Sequence, residues 1–182
     1  MPGTQPDFAG RSARDAVRRA VALLAVLLTD APTANSVAAV LVEHGEPQPL
    51  LSARDVAELQ EAAGKLREVF AAPDVAAAAS VLNALFAHHA GPPRLTAHDA
   101  TFGWHLHADR SDDGPWGEWL ITSSALALAT LLADRQDLPG GLCASPACRA
   151  PFAHLGGGSP RRYCSTRCAT RERVAAHRAR KG

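Results

Sequence analysis

The cysteines of this chain are confined to one short stretch near its C-terminus. They are Cys143, Cys148, Cys164 and Cys168, spaced C-x4-C and C-x3-C with fifteen residues between the two pairs. Two short loops that each present two thiolates can surround one tetrahedral ion, so the spacing predicts one structural zinc. Four sulfur ligands leave no open position for an activated water, and we therefore expect no enzymatic activity.

Three alternatives to a zinc site with four thiolates stay open at this point. His154 lies between the two pairs and is an alternative ligand. Iron–sulfur clusters also take four thiolates, although usually at other spacings. Disulfides would imply secretion, and Arg18 and Arg19 before the apolar residues 20–28 resemble a signal peptide.

The same N-terminal segment is better explained as a helix of a folded core. Its apolar positions fit one helical face: Val17, Val21, Leu24 and Leu28. No apolar run approaches the roughly 18 residues that span a bilayer, so no membrane partner is expected. We predict a cytoplasmic protein whose thiols stay reduced and available to a metal.

The charge of the chain is divided between two regions. Residues 1–142 carry 10 Lys and Arg against 17 Asp and Glu, a net charge of −7, whereas residues 143–182 carry 9 against 1, a net charge of +8. Such a dense basic segment attracts polyanions, and the acidic remainder gives DNA little reason to bind elsewhere.

A basic helix is predicted directly after the second cysteine pair. Ser165 is placed to cap it, and neither Gly nor Pro interrupts residues 166–180. We expect a narrow strip to be buried, consisting of Cys168, Ala175, Ala176 and Ala179. The residues expected to contact phosphates or guanine edges are Arg161, Arg162, Arg167, Arg171, Arg173, Arg178, Arg180 and Lys181. Two or three of these arginines could instead neutralise the thiolates, and a basic surface for a protein partner or for solubility is a further alternative.

The remainder of the chain is predicted to be mostly helical. Ser52 and Asp55 form a capping pair before the clearest helix, and other helices are expected over residues 14–29, 35–43, 75–88 and 118–133. The break at residues 138–141 predicts a boundary between a domain at 1–138 and a module at 139–182. The fold class is α+β: a mostly helical domain with a small antiparallel sheet or hairpin, then a treble-clef-like or ribbon-like zinc module that ends in a helix.

Residues 101–108 alternate in the manner of a half-buried strand, with a partner strand expected at residues 94–97. We expect the face with Trp104 and Leu106 to be buried and the face with His105 and His107 to be more exposed to solvent. These two histidines, with His98, are also candidates for a second metal or ligand site. Three tryptophans are candidates for a small-molecule pocket, although core positions are the simpler explanation: Trp104, Trp116 and Trp119.

The cysteine-rich segment resembles a known family. The residues that carry the resemblance are Leu142-Cys-Ala-Ser-Pro-Ala-Cys148, then Pro160-Arg-Arg-Tyr-Cys-Ser165, then Cys168 and the Arg-rich helix, which are similar to the CGNR zinc finger. Proteins with this finger are bacterial and pair it with an N-terminal domain called ABATE, of mixed helices and a small sheet, which residues 52–138 resemble in their order of elements. The chain departs from the motif at Ala169 and Thr170, where the family has Gly and Asn, and keeps the Cys and Arg171.

The resemblance implies a stress-induced transcriptional regulator with DNA as the partner of the basic helix. We therefore expect a bacterial zinc-containing regulator whose N-terminal domain senses a small-molecule effector or forms a homodimer. The alternatives are a protein–protein interaction module with a structural zinc and a small-molecule sensor without direct DNA readout.

Overall fold

A computed structural model of the chain describes residues 12–97, 104–156 and 161–181. In chain order its elements are α1 (Ala13–Leu27), α2 (Ala34–Glu43), α3 (Ala53–Ala71), α4 (Val75–His89), β1 (Arg94–Thr96), β2 (His105–His107), α5 (Trp116–Arg135), β3 (Gly140–Leu142), β4 (Pro151–Ala153) and α6 (Thr166–Ala179). The α+β class predicted from the sequence is confirmed, with helices forming the body and two small antiparallel hairpins added to it.

The helices begin where short polar side chains can cap them. Ser52 and Asp55 form the predicted capping box at the start of α3, in which each side chain bonds the other residue's backbone N–H. Thr33 and Ser36 form an equivalent box for α2, and the side chain of Asp74 caps α4. These caps satisfy backbone donors that the first helical turn leaves without partners.

Helix α5 lies at the centre of the body and packs against α1, α3 and α4. Leu120 and Leu128 of α5 are almost fully buried, together with Leu24 of α1 and Leu66 of α3. Contrary to the expectation that no apolar run reaches the length of a membrane span, α5 meets that length and composition, and half of its most apolar window is buried inside the fold. Its central packing accounts for its apolar character.

The β1–β2 hairpin confirms the predicted pairing but not the predicted orientation. Leu95 pairs with Leu106 in antiparallel register. Leu95 and Leu106 are 67% and 47% exposed and Trp104 is 77% exposed, whereas the side chain of His107 is only 14% exposed. His107 faces the body, where Asp109 and Arg94 are its polar partners, and His105 contacts His107. The expected positions at residues 98 and 101–103 lie outside the described residues.

The β3–β4 hairpin packs on the helical body through α1 and α3. A Cβ atom on Gly140 would lie 2.1 Å from the Phe152 carbonyl oxygen and 2.9 Å from the Phe70 ring of α3, so only glycine fits there. At the end of α5, the guanidinium of Arg135 donates hydrogen bonds to the carbonyl oxygens of His154, Leu155 and Gly156. The hairpin is thus attached to the body at two places.

Candidate metal centre and basic helix

The two cysteine pairs are presented by different elements of the C-terminal segment. Cys143 directly follows β3, and Cys148 ends the turn that leads towards β4. Arg149, at the next position, has the left-handed φ of 53° that turns the chain back. Cys164 and Cys168 lie on either side of the start of α6, whose Ser165 side chain accepts from the Cys168 N–H as predicted. A hairpin followed by a helix is the order of a treble clef.

The four sulfur atoms converge on one point. All four lie within 4.8 Å of one another, and Cys164 Sγ is 3.6 Å from Cys148 Sγ and 3.7 Å from Cys168 Sγ. A tetrahedral zinc with Zn–S bonds of 2.3 Å separates its sulfurs by about 3.8 Å, whereas a disulfide bond is about 2.05 Å. The cysteines are free thiols. They are placed to hold one structural zinc ion, as the spacing predicts.

The surroundings of the sulfurs shift the pKa values of two of the thiols in opposite directions. Burial, together with the neighbouring thiol of Cys148, raises the pKa of Cys164 to about 12. Burial acts in the same direction on Cys143, but the backbone N–H groups of Cys164 and Ser145 outweigh it and lower the pKa of Cys143 to about 7. Four thiolates so close together need a cation to offset their charge, which is what a divalent metal supplies.

Arg171 and Glu172 attach α6 to the loop of the first cysteine pair. Arg171 Nη2 lies 2.5 Å from Ser145 Oγ and 3.6 Å from Cys168 Sγ. Ser145 is fully buried, and its hydroxyl lies 2.5 Å from Glu172 Oε1. Arg171 therefore supplies positive charge beside a sulfur ligand. It is the predicted DNA-contacting residue whose side chain contacts one of the four cysteines directly.

The C-terminal segment, a hairpin and a helix that share four cysteines, is similar to a known zinc finger family. Residues 141–181 match the family model of the CGNR zinc finger. The match covers the whole cysteine cluster and α6, so the resemblance noted in the sequence is confirmed for this finger. No curated protein matches the chain. The ABATE-like character of the N-terminal body stays a prediction.

Two of the predicted DNA-contacting arginines lie at the base of the CGNR finger. Arg161 Nη2 donates to the Ala153 carbonyl oxygen at 2.8 Å, and its guanidinium lies 5.4 Å from the centre of the Phe152 ring. The guanidinium of Arg162 lies over the ring of Tyr163 at 5.9 Å, and its carbonyl accepts from the Ala144 N–H. Both side chains remain exposed, but they contribute to the packing of the finger as well as to its charge.

The remaining predicted residues form the exposed basic surface of α6. In the described part of the chain no hydrogen bond or ion pair engages the side chains of Arg167, Arg173, Arg178, Arg180 and Lys181, which are all exposed. The predicted buried strip is wrong beyond Cys168, because Ala175, Ala176 and Ala179 are exposed as well. Every residue from 173 to 181 is exposed because α6 extends away from the finger and nothing described packs on its second half.

The alternative ligands are placed away from the sulfur cluster. His154 is not part of it, and its Nε2 atom is buried without a hydrogen-bond partner among the described residues. A second group of potential ligands lies in the body and consists of His107, Asp109 and Asp112. Sequence reasoning identified His107 by its alternation with His105 but missed the two carboxylates, whose position depends on the loop after β2. His98 lies outside the described residues.

Trp116 and Trp119 do line a cavity in the body, of about 590 Å³, whereas Trp104 lies outside it. Their rings meet edge to face with centroids 5.4 Å apart, and the Arg19 guanidinium lies 4.8 Å from the centre of the Trp119 ring. Arg19 is also paired with Glu46, and both residues line the cavity. The sequence prediction of a pocket lined by tryptophans therefore holds for Trp116 and Trp119 and is wrong for Trp104.

Proposed function

We propose that this protein is a DNA-binding transcriptional regulator whose zinc finger presents α6 to DNA. The observation that carries the proposal is the exposure of every residue from 173 to 181 on a helix that carries basic side chains around its surface. An α-helix with side chains is about 10–12 Å across, and the major groove of B-DNA is about 12 Å wide. A helix free on all sides is able to enter such a groove.

The charge of the described residues on and after α6 supports the same partner. Glu172 is the one acidic residue of the segment from 143 to 182, and it is engaged by Ser145 and Arg171. No carboxylate on α6 therefore opposes a phosphate backbone. The body is acidic, which favours an approach of DNA from the α6 side. The proposal includes a boundary at residues 138 and 139 between an ABATE-like body and a DNA-contacting finger. It also includes a bacterial regulatory role, a cytoplasmic location and a lack of enzymatic activity.

Charge reversal on α6 tests the proposal. The full-length zinc-loaded protein with Arg167→Glu, Arg173→Glu and Arg178→Glu should lose DNA binding by at least about a hundredfold, because phosphate contacts supply most of the affinity. Arg171 stays unchanged because it contacts a zinc ligand. Fluorescence anisotropy with labelled duplex DNA measures the loss, and selection from random DNA then recovers any preferred sequence.

A matched control reverses the same number of charges on the body, at Arg54, Lys65 and Arg67 of α3. This variant should bind DNA nearly as well as the unaltered protein. Equal binding by the α6 variant, with one zinc retained, would contradict the proposal and favour a basic surface for a protein partner. Nuclease-resistant association with another protein would then support that alternative.

A further inference from the structure

Helix α6 directs one row of side chains towards the finger and the opposite row away from it. Cys168 holds one of the four sulfurs, and Glu172 Oε1 lies 2.5 Å from Ser145 Oγ in the loop of the first cysteine pair. Both side chains therefore face the finger. Side chains two positions further along a helix are rotated by about 200° and lie on its opposite side. The row opposite the finger, here called the outer row, consists of Thr170, Val174 and His177.

The outer row is exposed, and its central residue is apolar. The side chains of all three residues are exposed, and Val174 is 43% exposed. Packing does not explain a valine here, because every residue from 173 to 181 is exposed. Helix propensity does not explain it either, because a β-branched side chain is a weaker helix former than the alanine found at neighbouring positions of α6. The apolar surface of Val174 is therefore available to a partner.

Arginines lie on both sides of the outer row. Arg167 and Arg178 lie on one flank, and Arg173 lies on the other with Arg180 at the end of the helix. All four are exposed. In the major groove of DNA the base edges form the floor, and the phosphates of the two strands lie along its sides. The long arginine side chains would reach the phosphates of both strands, while the shorter side chains of the outer row meet the base edges.

We propose that the outer row reads base edges in the major groove and that Val174 contacts the C5 methyl group of a thymine. This inference rests on the proposed function, because it takes α6 as the element that contacts DNA. The methyl group of thymine is the apolar group that base pairs present in the major groove, and valine has neither a donor nor an acceptor for the other base edges.

The length of the outer row limits the size of the site. Seven residues separate Thr170 from His177, which is a rise of about 10 Å along the helix axis. Successive bases of one strand are about 3.4 Å apart, so the row spans about three base pairs. We therefore expect the thymine to lie within a preferred segment of about three base pairs.

Replacement of thymine by deoxyuridine tests the inference, because it removes the methyl group and leaves the base pairing unchanged. The full-length zinc-loaded protein first selects its preferred duplex from random DNA, and each thymine of that duplex is then replaced in turn. We expect one replacement to weaken binding by about fourfold, which is the effect of one buried methyl group. Fluorescence anisotropy at constant salt measures the change.

Two variants assign the effect to Val174. Val174→Ala should bind the thymine and deoxyuridine duplexes with equal affinity, and it should fold because alanine is the better helix former at an exposed position. The matched control combines Val174→Ala with Ala175→Val, which keeps the composition and moves the valine to the side of α6 that carries Cys168 and Glu172. This double variant should behave like Val174→Ala.

Several outcomes would overturn the inference. They are recovery of no preferred sequence, a selected duplex in which no deoxyuridine replacement weakens binding, and a fourfold effect that persists in Val174→Ala or in the double variant. Salt-dependent DNA binding with no contribution from Val174 would overturn this inference and leave the proposed function in place. Absence of DNA binding by the zinc-loaded protein would contradict both.

Discussion

At the scale of single residues, the finger depends on four sulfurs placed by two different local devices. Cys143 and Cys148 are brought together by a turn in which Arg149 takes a left-handed conformation. Cys164 and Cys168 are brought together by the first turn of a helix that Ser165 caps. These positions could be predicted from the sequence because both devices act within five residues.

Replacement of one ligand should remove the metal and unfold the finger. In Cys148→Ser we expect less than one zinc per chain by elemental analysis, because a structural zinc site contributes on the order of 10–16 kcal/mol to folding only when its ligands are complete. Ala147→Ser is the matched control, since it adds the same hydroxyl at an exposed position one residue away. A variant lacking the Cys148 thiol that keeps one tightly bound zinc would contradict the assignment.

Zinc affinity should weaken as the pH falls. The metal binds thiolates, so zinc-dependent stability is present at high pH and is lost on acidification as protons compete for the sulfurs. Cys143, with a pKa of about 7, is already partly ionised near neutrality, whereas Cys164, with its pKa raised to about 12, is fully protonated. The logarithm of the zinc association constant should therefore change by about three to four per pH unit near pH 7. Competition with a chelator of known affinity measures this slope, and a pH-independent constant would exclude thiolate ligation.

At the scale of elements, the helices were predictable and the hairpins were less so. Caps such as Ser52 with Asp55 and apolar periodicity are local signals, and α1 to α5 lie within two residues of the expected starts and ends. The outward orientation of Leu106 and Trp104 was not predictable from alternation, because it depends on Asp109 and Arg94, which provide partners for the histidine side. The strands β3 and β4 have three residues each and too little pattern to be recognised.

The β3–β4 hairpin offers an element-scale prediction. Gly140→Ala should destabilise the protein by about 3 kcal/mol or more, because its methyl group would overlap the Phe152 carbonyl and push on Phe70. Gly156→Ala, whose methyl group meets none of the described residues within 4 Å, should change the stability by well under 1 kcal/mol. Chemical denaturation of both zinc-loaded variants measures the difference. Equal stabilities would mean that the hairpin is not held against α3 as described.

At the scale of the whole molecule, the separation of charge makes one end of the protein cationic. The net charge of +8 belongs to residues 143–182, and the cavity and the acidic surface belong to the body. Composition and spacing could establish this separation without a structure. They could not show that the second half of α6 stands free of the body, since an alanine strip is equally suited to burial.

Salt should weaken DNA binding steeply if α6 contacts the phosphate backbone. Besides Arg171, which contacts Cys168 Sγ, the described residues offer five exposed basic side chains on and just after α6: Arg167, Arg173, Arg178, Arg180 and Lys181. About four to six phosphate contacts would give a slope near −4 to −5 in the logarithm of the association constant against the logarithm of the salt concentration, so affinity falls as salt rises. Anisotropy titrations from 50 to about 300 mM salt measure the slope. A slope near zero would point to contacts other than ionic ones.

The three hydrogen bonds from Arg135 couple the C-terminal end of α5 to the chain after β4. The first turns of α5 border the cavity in the body, and its last residue donates hydrogen bonds to the segment at residues 154–156. Twenty helical residues extend over about 30 Å, so a tilt of about 3° at the tryptophan end displaces the Arg135 end by about 1.5 Å. A shift of the last turn of α5 would therefore carry residues 154–156 with it.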